Sequence, residues 1–251
     1  MSYLYRLFRK TEEENRRVIL DLLQPNPAAR LLDLGCYDGG LTMRLAEKLG
    51  TSSCTGVEVV REFAERARSR GIDVVEANLN GRLPLADASF DVVHANQVIE
   101  HLYDTDTFVA EIARVLAPNG YAVLSTNNLA SLHNIASLVA GRQPPPAHVS
   151  NRVIVGNAWN PLQGERHENG AMAHLRIFSY NGLREFLEAN GLHAEDYRTV
   201  GFYPLPVPAA RAVQRVLPVY GAYLTCRVRL APKEVASVAR TVRVADEEVH
   251  L

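Results

Sequence analysis

Residues 31–42 read LLDLGCYDGGLT, and how this stretch is read decides the fold. Leu31, Leu32 and Leu34 form the kind of apolar run that ends a buried strand, and the run stops at Gly35. Gly35, Gly39 and Gly40 fall close together, and LTMRLAEKLG (41–50) then carries apolar residues at helical spacing up to a closing glycine. A buried strand that becomes a helix through a glycine-rich turn opens a strand–helix–strand unit. Glycine there lets a bound group approach the backbone, and the helix start offers free N–H groups. The spacing is not G-x-G-x-x-G, because Tyr37 takes the second glycine position, and a phosphate-loop lysine is missing. By itself the turn is either a ligand cradle or merely a tight corner.

Working outward, TEEENRRVILDLL (11–23) reads as a helix with Thr11 as N-cap, ended by Pro25 and Pro27. On the other side SCTGVEVV reads as a second strand and REFAERARSRG as an amphipathic helix stopped at Gly71. IDVVEAN is a third strand and SFDVVHANQ a fourth. DTDTFVAEIARVL is a helix capped by Asp104 or Thr105, and PNG turns the chain into a fifth strand, YAVLSTNN. This alternation over residues 30–128 predicts an α/β fold, a doubly wound parallel sheet with right-handed crossovers. After Asn128 the regularity stops. Residues 131–175, with GRQPPPAHVSN and NAWNPLQGERHENG, are expected to be an irregular insert serving as a substrate lid. SYNGLREFLEANG, HAEDYRTVGFYP, AARAVQRVL and YGAYLTCRVRL then read as helix, strand, short helix and last strand, and the tail ADEEVHL as frayed.

The chain has 251 residues, of which 47% are hydrophobic, enough for a sizeable core. A net charge of −1 and a pI near 6.7 give no general attraction to nucleic acid or to an anionic membrane. Cys36, Cys54 and Cys226 are far apart, with neither a disulfide framework nor a metal-binding spacing, so a reducing cytoplasmic setting and no metal are expected. The N-terminus lacks an apolar signal core, and a membrane-spanning apolar run of roughly 18 residues is absent, so stable membrane insertion is not expected.

Glu58 ends the second strand in TGVEVV, where an acid in such folds accepts hydrogen bonds from a ribose diol. The ends of the third and fourth strands, EANLNGRLPLADASFDVV and NQVIEHL, face the same crevice. Taken in order, LLDLGCYDGG, GVEVV, NLNGRLPLADASFDVVHANQVIEHL, IARVLAPNGYAVLSTNN and AHLRIFSYNGLREFLEANGL resemble the class I S-adenosylmethionine (SAM)-dependent methyltransferases. They lie close to the branch that includes small-molecule and quinone-precursor O-methyltransferases, and the resemblance covers roughly residues 15–200. It implies one domain over 1–251, a Rossmann-like seven-stranded sheet with helices on both faces, mostly parallel, with YGAYLTCRVRL as an antiparallel last strand.

The resemblance also implies site residues. Gly35, Cys36 and Tyr37 would lie against the methionine moiety, Asp33 would help place its amino group, and Gly39 would let the helix start near the cofactor. Glu58 would hold the ribose, Asn78 and Leu79 would flank adenine, and Asn96 and Gln97 would border the reacting methyl. Three positions depart from the family pattern: Tyr37 replaces a glycine, Asn78 an aspartate and Gln97 a glutamate. The sulfonium already activates the methyl, so in-line positioning carries most of the catalysis, and a base is needed only where the acceptor must lose a proton. His101 and His174 lead as bases, ahead of His133, His167 and Tyr180, because histidine titrates in the useful range; a packing or loop role is the alternative for each. The leading expectation is methyl transfer to a hydroxyl of a small molecule, without nucleic acid. The alternatives are a small-molecule amine, RNA or protein as acceptor, or a SAM-binding partner without catalysis.

Overall fold

The computed structural model describes residues 3–166 and 173–231. Its elements are α1 (Tyr3–Asp21), β1 (Leu31–Leu34), α2 (Gly40–Leu49), β2 (Cys54–Val57), α3 (Arg61–Ser69), β3 (Asp73–Val75), β4 (Phe90–Asn96), α4 (Thr105–Val115), β5 (Leu116–Asn127), α5 (Leu132–Val139), α6 (Tyr180–Ala189), β6 (Leu192–Val200), α7 (Val207–Val216) and β7 (Tyr223–Leu230). A short 3₁₀ turn, Ile99–His101, follows β4. The strands form one sheet in the order β3-β2-β1-β4-β5-β7-β6. β7 runs antiparallel to both neighbours, and every other pairing is parallel.

β1 is buried at all four positions because helices cover both faces of the sheet. Leu32 and Leu34 pack with Phe108 and Ile112 of α4. Leu31 packs on the other face with Ile19 of α1 and Leu45 and Leu49 of α2. The strand alternation therefore turns Asp33 toward α2, where a buried acid needs partners. The chain winds outward from β1 through β2 to β3, then returns to β4 on the other side of β1. That reversal makes a crevice at the carboxyl ends of β1 and β4, where folds of this kind bind ligands.

Three sequence expectations need correction. α1 begins at Tyr3, and Thr11 lies inside it, donating its hydroxyl to the Leu7 carbonyl at 2.9 Å instead of capping. Its buried face runs Leu7, Thr11, Asn15, Val18 and Ile19, so polar residues stand where an apolar pattern would have extended the helix by eye. The first part of the 131–175 segment forms α5, and of the rest the described residues, 140–166 and 173–175, are irregular. The fifth strand starts at Leu116, ahead of the PNG turn, through an irregular register beside Phe90 and Val92. Asp104 does cap α4, accepting from the Thr107 N–H at 2.9 Å. The tail ADEEVHL, His167 and Gly170 lie outside the described residues. Among the described residues, no helix is long and apolar enough to cross a membrane.

Candidate active site

The turn after β1 is built on left-handed backbone. Gly35 has φ 75° and Gly39 φ 78°. A Cβ on Gly35 would sit 2.7 Å from Cγ2 of Val98, and one on Gly39 would sit 2.5 Å from Cδ1 of Ile72 and 3.2 Å from Cα of Ala67. Gly39 therefore lets α2 start against α3 and β3, a packing reason. Tyr37 is left-handed as well, at φ 50°, in the place of the missing glycine. The residue is 55% exposed, and its ring lies against Phe63, centroids 4.0 Å apart. Glu58 clamps this turn: Oε2 accepts from the Tyr37 N–H at 3.0 Å and Oε1 from the Val60 N–H at 2.9 Å. A carboxylate has about four lone-pair sites, so each oxygen keeps one for a further donor.

A cavity of about 360 Å³ opens beside the turn, lined by Asp33, Gly35, Cys36, Tyr37, His94 and Asn96, with Arg16 and Arg44 at its wall. Asp33 and His94 are register partners across β1 and β4. Oδ1 of Asp33 lies 2.7 Å from Nδ1 of His94, and Oδ2 accepts from the Thr42 hydroxyl at 2.5 Å. The carboxylate takes the proton side of the ring, so Nδ1 carries the hydrogen. Nε2 is buried and has no partner among the described residues. Burial pushes the Cys36 thiol up to about 12, as befits a packing residue.

A second cavity, about 330 Å³, is walled by α1 (Phe8, Thr11, Glu12), by Gln97, His101 and Asn127 at the strand ends, and by Tyr203, Ala222 and Tyr223. Its roof comes from the 131–175 segment: His133, Pro145, Pro146, His148, Ile154, Asn160, Pro161, Leu162 and His174. Nδ1 of His174 is 2.8 Å from the Pro146 carbonyl. A carbonyl only accepts, so Nδ1 bears a proton toward it. The His174 ring stacks on His148 at 4.4 Å and meets His101 edge-on at 4.7 Å. Burial holds His133 down at about 4, so it is neutral near pH 7. Glu100 is fully buried; Oε2 accepts from Thr126 at 2.8 Å and Oε1 from Asn127 at 3.1 Å, yet burial dominates and raises its carboxyl to about 7. Ligand atoms of Glu100, His101 and His174 lie within 4.8 Å of one another, a gathering of metal-binding residue types that no spacing in the sequence had suggested.

The structure thus brings Asp33, Gly35, Cys36, Tyr37 and Asn96 to one cavity and His101 and His174 to the other. Gln97 lies on the second cavity, because its left-handed backbone, φ 57°, turns the chain away after β4. Asn78 and Leu79 line neither cavity. Asn78 is exposed, and its Oδ1 accepts from the backbone and side chain of Asn80 at 2.9 and 3.0 Å; Leu79 packs against the core. His94, Asn127, His148 and Tyr203 were not anticipated as site residues, whereas His133, one of the candidate bases, does line the second cavity. His94 alone left a trace, a histidine inside the apolar strand FDVVHAN.

A fold with this strand order and this switch-point crevice is a Rossmann-like methyltransferase fold. Residues 32–124 match the family described as "Methyltransferase domain". The chain is 52% identical over 138 residues to a probable SAM-dependent methyltransferase of Mycolicibacterium smegmatis, covering 55% of this chain and 41% of that protein. It is 36% identical over 196 residues to nocamycin O-methyltransferase of Saccharothrix syringae, covering 74% and 63%. A SAM-dependent methyltransferase structure from Mesorhizobium loti superposes with a TM-score of 0.59 at 20% identity, covering 87% of this chain and 97% of that one, which speaks to the fold. Over these stretches the chain is similar to SAM-dependent methyltransferases, and its fold is theirs. It spans less than two thirds of the length of both sequence relatives.

Proposed function

We propose that this protein is a SAM-dependent methyltransferase acting on a hydroxyl of a small molecule. The observation that carries this reading is the pair of cavities meeting at consecutive residues, Asn96 on the first and Gln97 on the second, with His101 and His174 in the wall of the second. The first cavity fits the amino-acid end of SAM on its own chemistry: a buried, unpartnered His94 Nε2, a left-handed glycine turn and two arginines. Both Asp33 oxygens are engaged, so Asp33 acts through His94, whose Nε2 lone pair can accept from an ammonium. Arg16 and Arg44, each tied to Glu13, supply positive charge for a carboxylate. Glu58 keeps one lone pair on each oxygen for the ribose hydroxyls.

When bound, SAM supplies an activated methyl: the C–S bond breaks as a C–O bond forms, and the electron pair returns to sulfur. The protein's part is placement and proton removal. Nε2 of His174, with the proton fixed on Nδ1 by Pro146, can take the hydroxyl proton, and His101 holds the ring edge-on. The 131–175 roof excludes water from the acceptor and closes the second cavity as a lid. The O-methyltransferase activity named for the Saccharothrix relative agrees with a hydroxyl acceptor.

The test is transfer of label from methyl-labelled SAM to panels of small hydroxyl compounds and amines, for the wild type and for His174→Gln. Label on hydroxyl compounds, with the acid limb of the wild-type pH–rate profile lost in His174→Gln, is the expected result. Label only on amines would defeat the hydroxyl reading, and an unchanged pH profile would remove His174 as the base.

A further inference from the structure

The second cavity contains a hydrogen-bond donor that the transfer chemistry does not use. Nε2 of Gln97 is buried, has no partner among the described residues, and belongs to a residue that lines the cavity. Its orientation is dictated from below. Oε1 of Glu100 accepts from Nδ2 of Asn127 at 3.1 Å, and it stays an acceptor in the neutral acid when the proton sits on Oε2, toward the Thr126 hydroxyl. Asn127 must therefore present its NH₂ there, and the same NH₂ donates to Oε1 of Gln97 at 2.9 Å. With its oxygen spent on Asn127, the Gln97 carboxamide has only N–H bonds left to offer. The Tyr203 hydroxyl, also buried and unpartnered, lines the same cavity, and burial holds its proton in place. Gln97 keeps its position at a backbone cost, since a left-handed conformation at a non-glycine residue is strained.

Two buried donors without acceptors in one cavity call for a ligand that brings oxygen lone pairs. The oxygen that attacks the methyl is not that ligand, because an N–H held on it would compete for the attacking lone pair. Gln97 directly follows Asn96 of the cofactor cavity, so its carboxamide belongs to the part of the second cavity that begins beside the cofactor cavity. We infer that Gln97 selects the acceptor, which carries a second, hydrogen-bond-accepting oxygen vicinal to the methylated hydroxyl: a catechol, a 2-hydroxyaryl ketone or the enol of a β-dicarbonyl. This rests on the hydroxyl-transfer reading above. The resemblance to the family had placed Gln97 at the cofactor; the inference moves it to the acceptor, and its exchange for the family's glutamate becomes a change from acceptor to donor.

The experiment uses isomer pairs that differ in the spacing of the two oxygens: catechol against hydroquinone, and 2-hydroxyacetophenone against its 4-hydroxy isomer. Wild-type kcat/KM is expected to favour each ortho isomer by about tenfold, the size of one directed hydrogen bond. In Gln97→Met and Gln97→Glu the preference is expected to vanish while SAM affinity, measured by calorimetry, stays within about threefold, less than the loss of one hydrogen bond. Independently of turnover, the side-chain ¹⁵N–¹H signals of Gln97, assigned by their loss in Gln97→Met, are expected to shift when catechol but not hydroquinone is added to the protein with S-adenosylhomocysteine. An ortho preference that is absent, or that survives in Gln97→Met, overturns the inference, as does a collapse of SAM affinity in that variant. Turnover confined to amines is a different outcome: it defeats the hydroxyl reading itself.

Discussion

Glu100 lies between the two candidate bases and the carboxamide chain, and its carboxyl provides a measurement in which the structure fixes both sign and size. Burial raises its pKa from 4.5 to about 7, against the lowering effect of hydrogen bonds from Thr126 and Asn127. In the unfolded chain the carboxyl ionises near its ordinary value. Between those two values the unfolded state has lost the proton and the folded state has kept it, so stability is full below about pH 4.5 and falls as pH rises toward 7. Raising the pKa from 4.5 to about 7, at about 1.4 kcal/mol for each tenfold change in the ionisation constant, gives a loss of about 3 kcal/mol. Glu100→Gln removes this titration and keeps the local bonds: its oxygen can accept from Asn127, and its NH₂ can donate to the Thr126 hydroxyl. Urea unfolding of both proteins from about pH 4 to pH 9 isolates the effect, because every other titration cancels in the difference. The variant is expected to gain on the wild type by about 3 kcal/mol across that range, with most of the change between pH 4.5 and 7. A flat difference would show that Glu100 ionises inside the fold as easily as outside it. A difference of opposite sign would show that its hydrogen bonds outweigh its burial.

His133 tests the same logic in reverse. Its pKa is lowered by burial from 6.5 to about 4, so its stability contribution is present above pH 6.5 and lost as pH falls toward 4; wild type minus His133→Gln, followed by denaturant titration, is expected to decline over that window. Glu58→Ala is expected to weaken SAM binding by at least about tenfold in calorimetry, through lost charge-assisted bonds and a freed Tyr37–Val60 turn; unchanged affinity in a folded variant would remove Glu58 from the ribose role. Gly35→Ala is expected to cost at least about 1–2 kcal/mol from the left-handed backbone alone, with the Val98 clash added, whereas Tyr37→Gly is expected to be neutral or stabilising by thermal melting.

The sheet was legible because its signals are local. Apolar runs of strand length, glycine at each corner and helical periodicity between them repeat from Leu31 to Asn127, and each repeat repeats the same physical constraint. The glycine turn was legible for the same reason, although the need for glycine at Gly39 comes from packing against Ile72 and Ala67, which its spacing could not reveal. Helix α1 was cut short because its inward face uses Thr11 and Asn15, polar side chains whose partners lie far off in the sequence. Nδ2 of Asn15 donates to Ser125 at 2.9 Å, and its Oδ1 accepts from Thr225 at 2.6 Å. The second cavity was illegible in its details because its walls come from stretches far apart in the chain, from Phe8 to Tyr223. His101 and His174 could be ranked by chemistry, but their contact depends on a roof whose path no periodicity encodes. The Asp33–His94 pair lay between these cases: both residues were visible inside apolar strands, and only the strand order made them neighbours.

Why the two cavities stay aligned follows from what α1 touches. Arg16 lines the first cavity, and Phe8, Thr11 and Glu12 line the second, so one helix walls both. Asn15, between those residues in sequence, is the buried anchor: besides Ser125 and Thr225 it reaches Oδ1 of Asn96 at 3.3 Å. Asn96 is the last residue of β4, and Gln97, on the second cavity, begins the turn that follows. A shift of α1 would therefore disturb Asn96 and both cavity walls together, and would leave three buried polar groups short of partners. Methyl transfer needs two reactants held in line to within a fraction of an ångström. Here that alignment rests on one helix, one asparagine and one strained peptide at the sheet's switch point, while the long roof covers the second cavity and brings His174 to its wall.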